Sequence, residues 1–567
     1  MTNSQISDTF ELLGMLMELH GENPFKAKSY ATASYNIYKL DKQLSELSEE
    51  EMAQIPSIGV TIREKIKTLL ADGHIKQLNE LIAKTPAGLF DVMKVKGLGP
   101  KKVKVIYEEL GIESIGELKY ACLENRLTLL KGFGEKTQDN VLKNIEFLLS
   151  NTGKFRYGDI EHEIISVQNE LEEIFGKENI SASGNYRRRA EILTQADFVL
   201  KIPVNEIEEV AMEKWTQVYD WSQVFSPDSI AKTNVVIIKT ESNVPVVLHS
   251  AEENNFGNML FETTGSKIFL DKFRNVVGVL TNHKTEEEIF SSAGIDFIEP
   301  ELREGTNEIE LAQKKMLPVL ITTKDVKGVI HNHSTWSDGV NTVKEMADEC
   351  IKLGYEYFCI SDHSQSAFYA NGLSPEKVLA QQKEIDKLNS TYADFKIFKG
   401  IEADILNDGR LDYEDDILAT FDFVVASVHS NLKMTEEKAM QRVLTAIRNP
   451  YTTILGHPTG RLLLSREGYP LDHKKIIECC AENNVVIELN ASPYRLDMDW
   501  RWIPYAMECG VKISINPDAH NRNGILDIYF GTLAARKGGL TKEYLFNNLS
   551  MKGMEIYLTE RKNNIAR

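Results

Sequence analysis

The C-terminal part of the chain repeats one pattern, a short apolar segment that ends in His, Asp, Glu or Asn and is followed by a stretch with helical periodicity. The apolar segments read G-V-I-H-N-H, Y-F-C-I-S-D-H, K-I-F-K-G-I-E-A-D, F-V-V-A-S-V-H, T-I-L-G-H-P, V-V-I-E-L-N and K-I-S-I-N-P-D-A-H. Alternating strands and helices indicate parallel βαβ units, and seven repeats in about 240 residues predict a barrel rather than an open sheet. Such barrels carry their chemistry at the carboxyl ends of the strands, where these polar side chains fall.

The polar residues at the strand ends predict a metal site. A single H-x-H pair is usually an ordinary surface or core feature, but six separate strand ends that supply imidazole or carboxylate are hard to explain as coincidence. Mixed nitrogen and oxygen ligation without cysteine suits Zn, Mn or Fe better than Ca or Mg. The candidates outnumber the ligands of one tetrahedral ion, so we predict two or three clustered divalent metals, with Mg as a further candidate.

The segment from Val326 to the C-terminus resembles the polymerase and histidinol phosphatase (PHP) domain, a distorted seven-stranded β/α barrel with a trinuclear metal centre. The resemblance implies metal-dependent phosphoester hydrolysis, and it implies that Arg461 and Arg495 face the phosphate. The nine ligand positions of that family correspond here to His331, His333, Asp338, His363, Glu402, His429, His457, Asp518 and His520.

Three short glycine hairpins lie near the N-terminus and read I-P-S-I-G-V-T-I, V-K-G-L-G-P-K-K and L-K-G-F-G-E-K-T. Glycine lets the backbone turn tightly and leaves the N–H groups of a helix N-terminus free to meet a phosphate oxygen. One such hairpin is usually a plain turn, but three within about 80 residues resemble helix-hairpin-helix motifs, which hold a DNA backbone without reading bases. Ser57 replaces the usual first glycine of the first hairpin. The predicted DNA contacts are Gly59, Gly97, Gly99, Lys101, Lys102, Gly132 and Gly134.

Nearly the whole chain resembles family X DNA polymerases, in particular the bacterial form that joins such a polymerase to a C-terminal PHP domain. The hairpins, G-N-Y-R-R-R-A-E from Gly184, T-T-G-S-K from Thr263 and E-P-E-L-R-E-G-T-N-E-I-E from Glu299 follow in the expected order. Within this resemblance Lys65 matches a lysine that some members use as a Schiff-base nucleophile on an abasic sugar. A helix-surface lysine beside a phosphate is the simpler interpretation of that residue.

The polymerase centre departs from the family pattern. Nucleotidyl transfer uses two metals held by three carboxylates, two from a D-x-D on one strand and one from a neighbouring strand. Here Gln195 and Asp197 occupy the D-x-D, and Val247 stands where the third carboxylate is expected. An amide and an isopropyl group cannot replace two negative ligands of hard cations. We therefore predict a region with weak or lost polymerase activity that holds DNA. Arg187 and Arg188 would bind phosphate there, with a solvated arginine run as the alternative.

Composition limits the cellular setting. The six cysteines form no C-x-x-C pair and fall mostly in apolar or helical contexts, which predicts reduced thiols in a cytoplasmic protein. The sequence shows no export signal and no apolar stretch long enough to span a membrane. The net charge of −19 disfavours a broadly basic surface, so local features must hold DNA and the binding should be salt-sensitive.

We expect a multidomain chain with N-terminal all-α helix-hairpin-helix domains, a central α/β palm- and thumb-like nucleotidyltransferase region and a C-terminal distorted (β/α)7 PHP barrel. The expected segments are a small helical, lyase-like DNA-end-binding domain (1–80), a fingers-like hairpin domain (81–150), a palm-like domain (151–240), a thumb-like domain (241–315), a linker (316–325) and the barrel (326–567).

Three functions remain open from the sequence. The first is a monomeric, nucleoid-associated DNA-repair enzyme that binds gapped, nicked or abasic DNA and uses the barrel as a 3′–5′ exonuclease, abasic endonuclease or 3′ phosphatase. The second is an active gap-filling polymerase with a proofreading barrel, which the missing carboxylates disfavour. The third is a DNA-binding scaffold or a phosphatase of a small phosphomonoester, which the complete ligand set and the three hairpins disfavour.

Overall fold

The computed structural model describes residues 1–40, 42–215, 234–278 and 282–565. The chain divides into two compact units, Met1–Thr152 and Gly153–Arg567. Among the described helices, none combines the length and the apolar character needed to cross a membrane.

The first unit is built from helices α1 to α9 around an apolar core. Thr2, Ser48 and Ser114 start three of these helices with capping boxes, in which side chain and backbone satisfy each other's hydrogen bonds across the first turn. The helices span Asn3–Leu19, Pro24–Tyr38, Glu49–Ala53, Val60–Asp72, Lys76–Lys84, Ala87–Met93, Pro100–Leu110, Ile115–Leu123 and Glu135–Asn151.

The second unit begins with a mixed α/β region. Its strands β1 to β6 span Phe155–Arg156, Ile180–Ser183, Ile192–Leu193, Ala196–Leu200, Val235–Lys239 and Pro245–Ser250. A four-stranded sheet has the order β2-β4-β6-β5, in which β4 and β6 run parallel and the other pairs antiparallel. Helices α10 to α16 span Tyr157–Phe175, Gly184–Arg187, Val204–Lys214, Phe256–Thr264, Lys267–Val277, Glu286–Ser292 and Glu308–Gln313.

The predicted (β/α)7 barrel is confirmed. Strands β7 to β13 span Gly328–Val329, Tyr357–Ile360, Lys396–Asp404, Phe423–Ser427, Ile454–Leu455, Val486–Asn490 and Ile513–Asn516, and all of them pair in parallel in sequence order. A parallel bridge between Asn332 and Ala519 joins the two edges, so the barrel is nearly closed. Helices α17 to α24 span Val343–Lys352, Pro375–Asn389, Asp415–Leu418, Glu436–Ile447, His473–Asn483, Ile503–Glu508, Ile528–Lys537 and Met551–Ile565.

The strands are buried on both faces, because the barrel interior covers one face and the helices cover the other. This accounts for the continuous apolar runs of strands such as β8 and β10, which lack the alternation of a half-exposed sheet. The few polar residues within or just after these runs are therefore held in fixed, largely buried positions.

A buried ion pair holds the thumb-like part of the second unit. Arg303 is 0% exposed and donates to both carboxylate oxygens of Glu286 at the start of α15. Its Nε also donates to the carbonyl oxygen of Ile298 at 2.9 Å. The guanidinium lies 5.6 Å and 5.1 Å from the ring centres of Phe261 and Phe290, so the charge is enclosed by aromatic faces.

The same short segment connects this region to the barrel. Glu304 accepts a hydrogen bond from Arg188 Nε at 2.9 Å and another from Lys537 at the end of α23. Glu301 accepts one from Arg536 Nε at 2.8 Å. The ion pairs of the E-L-R-E sequence thus connect the end of α11, the thumb-like helix α15 and the barrel helix α23 within the second unit.

We expect Arg303→Met to lower the free energy of unfolding of the second unit by about 3–5 kcal/mol, because Glu286 would keep a buried charge with one of its two arginines removed. Urea denaturation measures the change. Arg274→Met is the matched control, since Arg274 is half-exposed, and should cost at most about 1 kcal/mol. Equal effects of the two substitutions would contradict this account.

Candidate metal centre

The mouth of the barrel brings all nine predicted metal-ligating side chains into one cluster. Parallel pairing places every strand's carboxyl end at the same mouth. One ligand lies within β9, and the others lie in the loops after β7, β8, β10, β11 and β13. The groups whose ligand atoms lie within 4.8 Å of one another are His333, Asp338, His363 and His520; His331, His333 and Asp518; and His363, Glu402 and His429.

Glu402 is the centre of the cluster. Its side chain is 1% exposed, and its Oε1 lies 3.0 Å from Nε2 of both His429 and His457. The same oxygen lies 3.2 Å from His331 Nε2, and Oε2 lies 2.9 Å from His363 Nδ1. One carboxylate therefore meets four imidazole rings that come from four different strands.

Two aspartates complete the cluster on the open side of the barrel. Asp518 Oδ1 lies 3.0 Å from His333 Nε2, and Asp338 Oδ1 lies 3.4 Å from His520 Nε2 and 3.7 Å from His363 Nε2. At these distances several carboxylate and imidazole atoms lie close enough together to bind the same cation, as the ligands of clustered metal ions do.

Several buried polar atoms of the cluster lack hydrogen-bond partners in the part of the chain that the structure describes, as expected for side chains that bind a metal. Among the described residues, twelve buried side-chain atoms have no hydrogen-bond partner. Five of the twelve belong to the cluster, and they are His331 Nε2, His333 Nδ1, His363 Nδ1, His457 Nδ1 and Glu402 Oε2. His363 Nδ1 and Glu402 Oε2 are close but lack hydrogen-bond geometry. Buried polar atoms without partners are costly, and they are concentrated here. Buried nitrogen and oxygen atoms that lack hydrogen-bond partners are suitable ligands for divalent transition metals.

Two acidic residues outside the predicted ligand set orient the ligands. Glu488, which is 0% exposed, lies with Oε2 2.6 Å from His331 Nδ1 and also accepts a bond from the backbone N–H of His457 at 3.0 Å. Asp404 contacts His429 Nδ1 in the same way. Such carboxylates fix the ring orientation and tautomer of metal-binding histidines. Glu488 could have been recognised in the sequence as a functional residue, because it is a charged residue inside the mostly apolar strand V-V-I-E-L-N.

Burial and neighbouring charges shift the histidine pKa values in opposite directions. Burial, together with the neighbouring His520 and His363, lowers the pKa of His333 to about 3. Burial also opposes the charged form of His429, but Glu402 and Asp404 outweigh it and raise the pKa of His429 to about 10. Without metal, His429 therefore holds a proton at neutral pH.

The two predicted phosphate-facing arginines have different surroundings. Arg461 Nη1 donates to Asp499 Oδ2 at 2.7 Å, and its Nε donates to the carbonyl oxygen of Arg495 at 3.0 Å. Its guanidinium thus holds the loop that carries Arg495. Arg495 Nε itself lies 3.9 Å from Asp518 Oδ2. Of the two, the structure brings Arg495 to the cluster.

The polymerase-like site contains the carboxylate of Asp197, and no second carboxylate faces it from Gln195, Val247 or His249. Asp197 on β4 pairs with Val247 on the parallel strand β6, so the two side chains share one face of the sheet. Gln195 Nε2 donates to Asp197 Oδ1 at 2.7 Å, and His249 Nε2 lies 3.1 Å from the same oxygen. Val247, which lies opposite Asp197, therefore offers no oxygen ligand for a metal beside that carboxylate.

The palm-like arginines are engaged within the protein. Arg187 Nη2 donates to Glu286 Oε2 at 2.6 Å, and Arg188 Nε donates to Glu304 Oε1 at 2.9 Å. Their guanidinium groups also donate to the hydroxyl and the carbonyl oxygen of Thr264, at 3.0 Å and 2.6 Å. The structure assigns them to the contact between palm-like and thumb-like parts.

The three hairpins share one backbone form. The residue two positions before the helix-capping glycine has a positive φ in each hairpin. This φ is 66° at Ser57, 91° at Gly97 and 90° at Gly132. The second glycines, Gly59, Gly99 and Gly134, cap α4, α7 and α9 with φ of −72°, −75° and −96°, which any residue adopts. A Cβ added at these three positions would meet no described atom within 4 Å. Neither backbone strain nor internal packing explains the three capping glycines.

Among the lysines predicted at functional positions, each has a neighbour within the first unit. Lys102 Nζ donates to the carbonyl oxygen of Gly97 at 3.0 Å, and Lys101 lies 3.3 Å from Glu18. Lys65 Nζ donates to Gln77 Oε1 at 3.1 Å. Burial, assisted by Lys26, lowers the pKa of Lys65, which increases its fraction of neutral amine.

We expect metal binding to release protons and to tighten between about pH 6 and about pH 9. The reason is that His429, with a pKa raised to about 10, must lose its proton to ligate a metal. Calorimetric titration with Mn²⁺ in buffers of different ionisation enthalpy counts the protons. His162→Ala is the control, since His162 is exposed and outside the cluster, and should titrate as the wild type does. Binding that is independent of pH and releases no proton would refute the assignment.

Comparison with known families matches this architecture. Residues 1–75 match the helix-hairpin-helix domain, residues 89–145 match the SAM-like helix-hairpin-helix tandem, and residues 330–492 match the PHP domain. The helix-hairpin-helix matches indicate DNA binding, and the PHP match agrees with the ligand clusters that could hold metal ions.

Individual relatives extend the match to the full length. DNA polymerase/3′-5′ exonuclease PolX from Bacillus subtilis (strain 168) is 34% identical over 576 residues, which cover 98% of this chain and 99% of that protein. A probable phosphatase from Thermoanaerobacter sp. (strain X514) is 28% identical over 253 residues, 42% of this chain and 96% of that protein. The second relative matches less than half of the chain, whereas the first matches nearly all of it. The chain therefore belongs to the PolX family of bacterial family X DNA polymerases, with N-terminal helix-hairpin-helix domains and a C-terminal PHP domain.

Proposed function

We propose that this protein is a metal-dependent 3′–5′ exonuclease of DNA repair and that its barrel carries the activity. The ligand cluster is the observation that carries the proposal, because its buried atoms without hydrogen-bond partners fit metal coordination. The full-length relative is named a DNA polymerase/3′-5′ exonuclease. We assign gapped, nicked or abasic DNA as the substrate, a monomer as the working form and the nucleoid as its place of action.

Two or three divalent ions fit the donor set, with Mn, Zn or Fe preferred and Mg as a further candidate. When bound, clustered metals activate water and polarise phosphoryl oxygens. The chain's own residues hold this geometry, since Glu488 fixes the ring of His331. Arg495, beside Asp518, is positioned to offset the negative charge that develops on the phosphate.

The hairpins supply the hold on DNA in this proposal. Gly59, Gly99 and Gly134 leave open space above the first N–H groups of three helices, and the fold itself does not require glycine there. A phosphate oxygen approaching these N–H groups does require that space. Contacts of this kind bind backbone without reading sequence, as a repair enzyme needs.

We propose that polymerase activity is weak or lost. The support is geometric, because Val247 lies opposite Asp197 and the Gln195 amide donates to that carboxylate. A site with this composition lacks the negative charge that holds two hard cations. An active gap-filling polymerase is therefore the less favoured function.

A second candidate is removal of a 3′-terminal phosphate. It is supported by the barrel's relatives, since a protein named as a probable phosphatase aligns over 96% of its own length with 42% of this chain. The same ligand cluster would serve both reactions, because each breaks a P–O bond at a DNA end.

We expect the wild-type protein to shorten a 5′-labelled gapped duplex from its 3′ end in Mn²⁺, without extension when nucleotides are added. His331→Ala plus His333→Ala should slow the shortening more than about 100-fold. Loss of a residue that only orients a metal ligand costs about 10-fold to 100-fold, and loss of the ligands themselves should cost more. Gel analysis of the labelled strand gives both readouts.

His162→Ala should retain full activity in this assay, because that exposed side chain lies outside the cluster. Shortening that survives in the double variant would remove the barrel as its source. Extension by nucleotides would show that Gln195 and Val247 do not abolish transfer.

We expect Gly99→Ala plus Gly134→Ala to weaken binding to the gapped duplex about tenfold or more, because each added Cβ obstructs a hydrogen bond to a charged phosphate. The free energy of unfolding should change by at most about 1 kcal/mol per site. Fluorescence anisotropy and thermal denaturation measure the two quantities.

Gly116→Ala is the matched control, because a Cβ there also meets no described atom within 4 Å and the residue lies in α8 rather than in a hairpin. It should leave DNA affinity unchanged. The assignment of the hairpins fails if all three glycine substitutions weaken binding alike or if none does.

A further inference from the structure

The loop after β8 exposes two adjacent aromatic side chains. Phe368 is 89% exposed and Tyr369 is 72% exposed. They lie on the short 3-10 turn Phe368–Ala370, five positions after the ligand His363. Exposed rings contribute little to folding, and a pair of them in one place marks a surface that meets another molecule.

The loop that carries them is held firmly from below. Asp412 accepts hydrogen bonds from the backbone N–H of Ser366 at 2.6 Å and from its hydroxyl. Ala367 and Ala370, on either side of the rings, are 0% and 1% exposed. A Cβ at Gly372 would lie 1.9 Å from the carbonyl oxygen of Ser364, so the chain packs tightly there. The rings are therefore presented by an anchored turn.

The pair lies beside the metal centre. The ring centre of Tyr369 is 6.1 Å from that of His363. A group bound at the cluster would have this ring as a neighbour.

A third aromatic side chain adjoins the phosphate-facing residue. Tyr494 precedes Arg495, whose Nε lies 3.9 Å from Asp518. The guanidinium of Arg156 lies 4.1 Å from the centre of the Tyr494 ring and braces it. Aromatic side chains thus flank the cluster on the loop after β8 and on the loop after β12.

We propose that Phe368 and Tyr369 form a stacking platform for the unpaired bases at the 3′ end of a DNA strand. This rests on the proposed exonuclease function. For the last phosphodiester to enter the cluster, the bases next to it must leave their partner strand and lose their stacking. Aromatic side chains replace that stacking for any base, since every base has a π face. The platform selects a nucleic acid end over a small phosphomonoester.

The test removes the aromatic rings of the protein and the terminal bases of the DNA, separately and together, and compares the losses of activity. The full chain in Mn²⁺ is given two 5′-labelled single strands, one ordinary and one whose last two nucleotides carry tetrahydrofuran in place of the base. The variants are Phe368→Ala plus Tyr369→Ala, which removes both rings, and Phe368→Trp plus Tyr369→Trp, which keeps aromatic faces. Ile351→Ala plus Leu353→Ala is the matched control, because these exposed apolar residues lie at the end of α17.

The alanine variant should lose about 5-fold to about 150-fold in kcat/KM on the ordinary strand, mainly through KM, and far less on the strand without bases. The tryptophan variant should stay close to wild type on both strands, and so should the control. Equal losses on the two strands, or no loss on either, overturn the platform while leaving the exonuclease in place. Failure of the wild type to cleave either strand overturns the proposed function, and the platform with it.

Discussion

The barrel depends on the burial of one carboxylate among imidazole rings. Glu402 is 1% exposed and has four histidines within 3.2 Å. Such burial is unfavourable unless cations compensate it, because removing a charge from water costs several kcal/mol. The backbone also bears strain at this site, with φ of 62° at His331 and 54° at Asp518. Strain of this kind persists where the surrounding structure and its function require it.

The rest of the second unit supports this centre from outside. The segment from Glu301 to Glu304 ties the thumb-like and palm-like parts to helix α23, which packs on the barrel. Glu191, next to the palm-like arginine run, accepts a hydrogen bond from Trp500 Nε1 at 3.2 Å in the loop that carries Arg495. The palm-like and thumb-like parts thus make structural contacts with the barrel.

In the proposed function, the first unit binds DNA and the second unit cleaves it. The first presents capping glycines whose open surroundings suit contact with phosphate. The second carries the metal centre and the exposed rings of Phe368 and Tyr369. Backbone contacts supply affinity without sequence preference, and stacking is equally indifferent to sequence. Both features suit an enzyme that must act on whichever DNA end is damaged.

The sequence by itself predicted the barrel and the hairpins, and its resemblance to a known family supplied the nine ligand positions and the expectation of an incomplete polymerase site. The barrel and the hairpins depend on residue type and local spacing, because strand ends and tight turns are visible over a few residues. The ligand positions and the absent carboxylates are recognised only against the family pattern. Only the tertiary structure decided which partners these residues find. Glu488 meets His331 across 157 positions, and Arg461 is engaged by Asp499 while Arg495 reaches the cluster. Periodicity assigns a residue to a face of a strand or helix, but it does not identify what packs against that face.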